Sequence, residues 1–223
     1  MNDAVAALRE VDFGYADRPR IFHGLNFTLR EGEQIGLYGP NGSGKTTFFR
    51  LMTGLEKPQK GGLFFHGIPV AGEADLHRLR CSIGFVVQNS DDQLFSSSVL
   101  EDVAFGPLNL GMNKKQARER AMNALSSLGI ESLADRPPHK LSGGEKKLAA
   151  LASVLSMQPE ALLLDEPTMF LDEASREKLA YILKGQTITR IIISHDGEFL
   201  RETCTSFMRI TPNGSVAVTQ AFC

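Results

Sequence analysis

Gly39-Pro40-Asn41-Gly42-Ser43-Gly44-Lys45-Thr46 sets three glycines, a lysine and two hydroxyls on one short stretch. It reads G-x-x-x-x-G-K-[ST], with an extra glycine at position 42. The apolar run Ile35-Gly36-Leu37-Tyr38 leads in and Phe48-Phe49-Arg50-Leu51-Met52 leads out, so a strand, a glycine loop and a helix start follow one another. The chemistry of such a stretch is anion capture, because loop N–H groups and the helix dipole converge on one point. Lys45 would reach the β- and γ-phosphates of a nucleoside triphosphate, and the Thr46 hydroxyl would ligate Mg²⁺. Asn41, Gly42, Ser43, Gly44 and Thr47 complete the cradle around them.

Five further places in the chain could serve that chemistry. Leu162-Leu163-Leu164 ends in Asp165-Glu166, an apolar strand closed by two acids. Neighbouring strand residues point to opposite faces, so the two acids have separate tasks. Asp165 would hold Mg²⁺, and Glu166 at the tip would act as general base toward water. Gln88 ends the strand 83–87, and His195 ends the strand 190–194. Ligands in α/β sheets bind at the carboxyl ends of strands, which is where both side chains fall. Leu141-Ser142-Gly143-Gly144-Glu145 opens a helix, with Ser142 and Glu145 spaced as a capping box. The same glycine-rich helix start would let a second phosphate approach. Tyr15, in the loop 14–19, could offer a flat face to a purine ring; the segment alone favours a tyrosine half-buried at a strand end.

The elements that must position these residues can be read from periodicity. Strands are expected at 5–11, 25–29 and 63–66, the last bounded by Gly61-Gly62, with helices from 44 to 53 and over 74–80. From about 97 to 158 the texture turns helical: 99–105, 114–128 with Asn113 as cap and Gly129 as stop, a rigid break at Arg136-Pro137-Pro138-His139, then 142–157. A helix over 173–183 follows, and 207–210 with 216–219 forms a hairpin about Asn213-Gly214. The class is α/β: a mostly parallel sheet with antiparallel strands at the N-terminus and a helical insert. One domain, 1–223, would split into an α/β core of 1–88 and 159–223 and a helical subdomain of 89–158.

Composition narrows the setting. The chain has 223 residues, 42% hydrophobic and 22% charged, as a globular domain does. Its longest apolar run, 148–155, falls well short of the roughly 20 residues that span a bilayer. The N-terminus lacks the basic and apolar regions of a signal peptide, so a cytosolic location is expected. A net charge of −2 gives no general attraction to nucleic acid or anionic lipid. Cys81, Cys204 and Cys223 have no ligand-type spacing and are expected as free thiols.

Taken in order, these motifs resemble the ATPase subunit of an ATP-binding cassette (ABC) transporter. On that resemblance 39–47 is the Walker A loop of a P-loop (RecA-like) NTPase, Gln88 the Q-loop glutamine, and 141–145 the signature motif. Likewise 162–166 is Walker B with its catalytic glutamate, Leu171-Asp172 the D-loop, and His195 the switch histidine. The resemblance implies that Tyr15 stacks on adenine, and that Gln88 joins Thr46 and Asp165 around Mg²⁺. It further implies that Ser142, Gly143, Gly144 and Glu145 face the nucleotide of a second ATPase subunit, identical or related.

The stretch 88–95, with 99–107 and Asn109-Leu110-Gly111, is similar to the energy-coupling-factor importers of cobalt, nickel, biotin or other vitamins. The partners then implied are a transmembrane coupling protein and a substrate-binding membrane subunit, with this chain peripheral on the cytoplasmic side. Acids of the run Asp91-Asp92 would pair with arginines of the coupling protein. The alternatives are the ATPase of an ordinary ABC exporter or importer, and a soluble non-transport ABC ATPase. The sequence departs from the family at Ser90, Glu145, Lys147, Leu148 and Met169-Phe170, and lacks the C-terminal extension that many coupling-factor ATPases carry.

Overall fold

The computed structural model describes residues 3–16, 19–211 and 216–219. The first half runs β1 (Ala4–Phe13), β2 (Phe22–Arg30), β3 (Gln34–Tyr38), α1 (Lys45–Met52), β4 (Lys60–Phe65), β5 (Ile68–Pro69), α2 (Glu73–Ser82) and β6 (Ile83–Val86). The second half runs α3 (Val99–Asn109), α4 (Lys114–Ser127), α5 (Gly143–Leu155), β7 (Ala161–Asp165), α6 (Glu173–Lys184), β8 (Thr189–Ile193), α7 (Gly197–Thr203), β9 (Ser206–Ile210) and β10 (Val216–Thr219).

A 4-stranded sheet, in the order β2-β1-β4-β5, pairs β1 antiparallel with both β2 and β4. Along β2, Phe22, Leu25, Phe27 and Leu29 are buried while the residues between them face outward, the alternation of a one-sided antiparallel strand. A 6-stranded sheet runs β10-β9-β3-β8-β7-β6. In it β3 pairs parallel with β8 and β9, and β9 antiparallel with β10. All residues of β7 and β8 are buried; the apolar stretches Ala161–Leu164 and Ile191–Ile193 suit strands covered on both faces, and the buried Arg190 is held by hydrogen bonds to Thr203 O and Gln34 Oε1.

The chain divides into two compact units, one of Met1–Ile83, Glu160–Leu163 and Thr187–Cys223, the other of Gly84–Pro159 and Leu164–Gln186. The first carries the antiparallel sheet, α1, α2 and α7. The second carries α3 to α6.

Three elements differ from expectation for local reasons. β4 starts at Lys60 and takes in Gly61-Gly62, which had been read as its boundary. Gly61 has φ 77°, and a Cβ there would lie 2.3 Å from Arg9 O, so only glycine fits opposite the β1 bulge, where Glu10 and Val11 together face Gly61. α3 runs past Phe105 and through Pro107 to Asn109. Pro107 has no N–H for the Val103 carbonyl one turn back; the Ser156 hydroxyl donates to that carbonyl instead, at 2.8 Å. α7, with Asp196 accepting from Phe199 N at 2.9 Å, has no counterpart in the sequence reading. The antiparallel pairing of β9 and β10 fits the terminal hairpin, but its turn at Asn213-Gly214 lies outside the described residues, as does Cys223.

Cys204 is buried, and burial pushes its thiol up to about 11. Cys81 is half-buried on α2. A thiol-alkylating reagent at neutral pH is therefore expected to label Cys81 in the native protein and spare Cys204 until denaturant is added, as read by peptide mass mapping. Equal native labelling of both would contradict this burial.

Candidate nucleotide-binding site

The first compact unit builds the phosphate cradle. β3 is buried and apolar, and the chain leaves it into a loop whose Gly42 and Gly44 have φ of 77° and 98°. Neither angle suits a side-chain-bearing residue, so the loop can close on its own N–H groups only with glycine there. The two glycines differ otherwise. A Cβ at Gly44 would strike Ile21 Cγ2 at 2.4 Å, whereas at Gly42 the space is open. Gly44 thus seats the loop on the chain, and Gly42 keeps its outer side clear for a ligand. The Ser43 hydroxyl is buried and has no hydrogen-bond partner among the described residues. A buried polar atom of that kind calls for an acceptor or donor from outside the chain.

α1 begins at Lys45, whose ammonium donates to the carbonyls of Gly39 at 2.8 Å and Pro40 at 3.1 Å. Thr46 is exposed at the helix start, while Thr47 is buried. Tyr15 lies edge-on to Phe13 with ring centroids 5.1 Å apart, and its hydroxyl is 3.5 Å from Thr47 Oγ1. It is half-buried just beyond β1, beside the first turn of α1. His195 follows β8 and is exposed. Because β3 and β8 are parallel neighbours with Leu37 opposite Ile193, the glycine loop and His195 leave the sheet at the same end.

The second compact unit holds the remaining predicted residues. Asp165 ends β7 at 2% exposure. Glu166 follows with φ 46°, a left-handed backbone that costs on the order of 1–3 kcal/mol in a side-chain-bearing residue. The two acids are thus parted by a kink beyond the strand rather than by strand alternation alone. Strain of this kind gathers at functional positions, where the surrounding structure holds it in place.

Ser142 caps α5, accepting from Glu145 N at 3.3 Å, while Glu145 accepts from Ser142 N at 2.8 Å. That bond from the Ser142 N–H holds the Glu145 carboxyl below the usual range, with the Ser142 hydroxyl and the charge of Arg136 3.8 Å away adding to it. The atypical glutamate is therefore the second half of the capping box. Ser142 and Gly143 are exposed. A Cβ on Gly144 would sit 2.5 Å from Ser175 Oγ. The glycine at that position is required by packing against α6, a reason separate from ligand approach.

Gln88 is exposed where β6 gives way to the polar loop, and its amide donates to Met169 Sδ at 2.9 Å. Its carbonyl accepts from Lys147 Nζ at 2.7 Å.

A model of the ABC transporter family matches residues 22–169. The chain belongs to the ABC transporter family. It is similar to a protein of Nitratidesulfovibrio vulgaris named as an ABC transporter ATP-binding protein, 51% identical over 205 residues, which are 92% of this chain and 75% of the relative. It is also similar to the energy-coupling factor transporter ATP-binding protein of Methanocaldococcus jannaschii, 42% identical over 196 residues, 86% of this chain and 70% of the relative. Among solved structures it resembles cbiO1 of Clostridium perfringens, part of the ABC transporter complex cbiONQ. There the TM-score is 0.86 at 36% identity, covering 98% of this chain and 89% of that one. The fold is that of the ABC ATPases, and the chain is an ATP-binding, ATP-hydrolysing subunit of an ABC transporter. Among the described residues no helix is long and apolar enough to cross a membrane.

Two features of this ABC ATPase describe how the run 91–95 is held within the chain. Asp91, expected to await an arginine of a partner, is paired within its own chain to Lys146 at 2.6 Å. Gln93 turns inward, its amide N–H donating to Ala150 O at 2.9 Å and Ser153 Oγ at 3.0 Å. The run 91–95 also opens an apolar side chain to the surface: Phe95 is 68% exposed and edge-on to Phe105 at 5.1 Å.

Sequence reasoning also left Lys147 and Met169 without a role. Lys147 is 4% exposed, and burial depresses its ammonium to about 8, against the opposing pull of Asp165 and Glu166. The signal was present in the pattern. Lys147 lies three residues after Gly144 and four before Leu151, the spacing of the buried face of α5.

Proposed function

We propose that this chain is the ATP-hydrolysing motor of an energy-coupling-factor importer, carrying cobalt or nickel ions or a vitamin such as biotin. The carrying observation is the 42% identity to an energy-coupling factor ATP-binding protein across 86% of the chain. The solved relative that forms part of a cbiONQ complex supports the same reading. Two copies, or this chain and a related ATPase, sit peripherally on the cytoplasmic side of the membrane. They work with a transmembrane coupling protein and a substrate-binding membrane subunit, and with no nucleic acid. In this reading 1–88 with 159–223 is the nucleotide core and 89–158 the helical subdomain.

Each residue has a distinct task. Tyr15 stacks on adenine. Gly39, Asn41, Gly42, Ser43, Gly44 and Thr47 wrap the phosphates with backbone and hydroxyl donors, and Lys45 exchanges its two loop carbonyls for phosphate oxygens. Thr46, Gln88 and Asp165 supply only oxygens, the donor set that Mg²⁺ accepts. They would hold the ion, which would supply charge neutralisation at the phosphate oxygens. Glu166 takes a proton from the attacking water, and His195 and Gln88 orient that water and the γ-phosphate. Ser142, Gly143, Gly144 and Glu145 of one copy close over the nucleotide of the other, using the exposed helix start of α5 as an anion site.

The test is affinity recovery of the tagged chain from native membranes, then uptake assays on the recovered complex with cobalt, nickel and biotin. A small coupling protein together with a separate substrate-binding subunit, and ATP-dependent uptake of one of the three, is the expected result. Recovery with a pair of ordinary permease domains would overturn the energy-coupling-factor assignment and leave the ATPase assignment standing.

A further inference from the structure

Lys147 lies one turn into α5 and is 4% exposed. Its ammonium donates to the Gln88 carbonyl at 2.7 Å and reaches that of Val87 at 3.5 Å. Asp165 and Glu166 pull on it through charge, while its hydrogen bonds go to the main chain. A lysine that only solubilised the helix would face water, and taking an ammonium out of water is costly unless hydrogen bonds replace its hydration. Here the replacement is the main chain at Gln88. The other end of the same residue is held too, its amide donating to Met169 Sδ at 2.9 Å in the stretch after Glu166. Thioether sulfur is a weak acceptor, so that second contact yields readily. The lysine contact is the charged and shorter one.

We propose that Lys147 is a positioning residue that ties the main chain at Gln88 to the helix starting at Ser142, so that the seating of this helix start sets where the Gln88 side chain stands. From Ser142 to Lys147 is about 7.5 Å along a helix at 1.5 Å per residue, short enough to move as one rigid piece. α5 is fixed at its start by the Ser142–Glu145 capping box and against α6 at Gly144. Its displacement therefore reaches Gln88 through one ammonium-to-carbonyl bond. The inference rests on the proposed role of Gln88 at the γ-phosphate.

The experiment measures ATPase kcat and KM of the full chain for Lys147→Met, Lys147→Gln, Gln88→Ala and the Gln88→Ala/Lys147→Met pair. Met keeps length and burial but cannot donate; Gln is neutral but keeps an N–H. Expected are a kcat about tenfold lower in Lys147→Met with KM for ATP changed less than about twofold, and recovery of most of that loss in Lys147→Gln. The double variant should be no slower than Gln88→Ala, since both changes remove one device. Effects that multiply, a Lys147→Gln as slow as Lys147→Met, or a Lys147→Met at the wild-type rate beside a slow Gln88→Ala each overturn the inference. A Gln88→Ala at the wild-type rate overturns the reading of Gln88, and this inference with it. If Lys147→Met does not fold, the same cycle is run with Lys147→Arg, whose wider head should displace Gln88 and lower kcat at unchanged KM; a wild-type kcat would overturn the inference.

Discussion

Glu166→Gln is expected to bind ATP as the parent chain does and to lose turnover by about 10²–10⁴-fold, the usual worth of a positioned general base. The substitution keeps the size of the side chain and removes its basicity. Glutamine cannot take the proton that water must lose as it attacks. Glu166 sits at φ 46° directly after β7, and glutamine matches it in length and shape, so the amide is expected in the same position. Binding without hydrolysis has a second consequence. If the exposed helix start at Ser142 and Gly143 closes on the nucleotide of another copy, uncleaved ATP keeps that contact in place. Gel filtration with ATP should then show a dimer for Glu166→Gln and monomer without nucleotide. Turnover within about threefold of the parent would remove Glu166 from the base role, since so small a loss leaves no proton transfer to account for.

The fold was legible wherever one pattern decided it. The apolar stretches Ala161–Leu164 of β7 and Ile191–Ile193 of β8 read as buried strand, and the P-loop announces its own strand and helix. The capping box at Ser142 and Glu145 was readable because both partners lie on one turn. What escaped was set by contacts between distant positions. α3 continues through Pro107 because the hydroxyl of Ser156, 53 residues beyond Val103, donates to the Val103 carbonyl that proline leaves idle. Gly61 looked like the border of a strand because the bulge it accommodates lies on the neighbouring strand, at Glu10 and Val11. Asp91 looked available to a partner because Lys146, which takes it, is 55 positions along the chain. In the candidate site the same division holds. The residue types that handle phosphate are local motifs. The side chains that hold Gln88, Lys147 and Met169, belong to two other segments and carry no motif of their own.

Lys45→Ala is expected to weaken ATP binding by roughly 100-fold, about 3 kcal/mol, the upper range for a lost hydrogen bond to a charged group. The ammonium is buried and held by the carbonyls of Gly39 and Pro40 at 2.8 and 3.1 Å, so it is already aimed into the loop before any phosphate arrives. Little side-chain entropy remains to be lost on binding, and most of the charge interaction should appear as affinity. Alanine removes the cation and also the brace across the loop, so part of the loss will come from a looser cradle; Lys45→Met, which fills the space without charge, separates the two. Thermal shift gives the reading: a ligand that binds only the folded chain raises its melting point with concentration, and that rise should vanish in Lys45→Ala at ATP concentrations that saturate the parent. The pairing with Glu166→Gln is what makes the outcome decisive. One variant should hold ATP and fail at chemistry, accumulating the dimer; the other should fail before chemistry and never form it. A Lys45→Ala chain that still dimerises with ATP would mean that the phosphate charge is met elsewhere in the site, and the loop 39–47 would lose its place as the primary anchor.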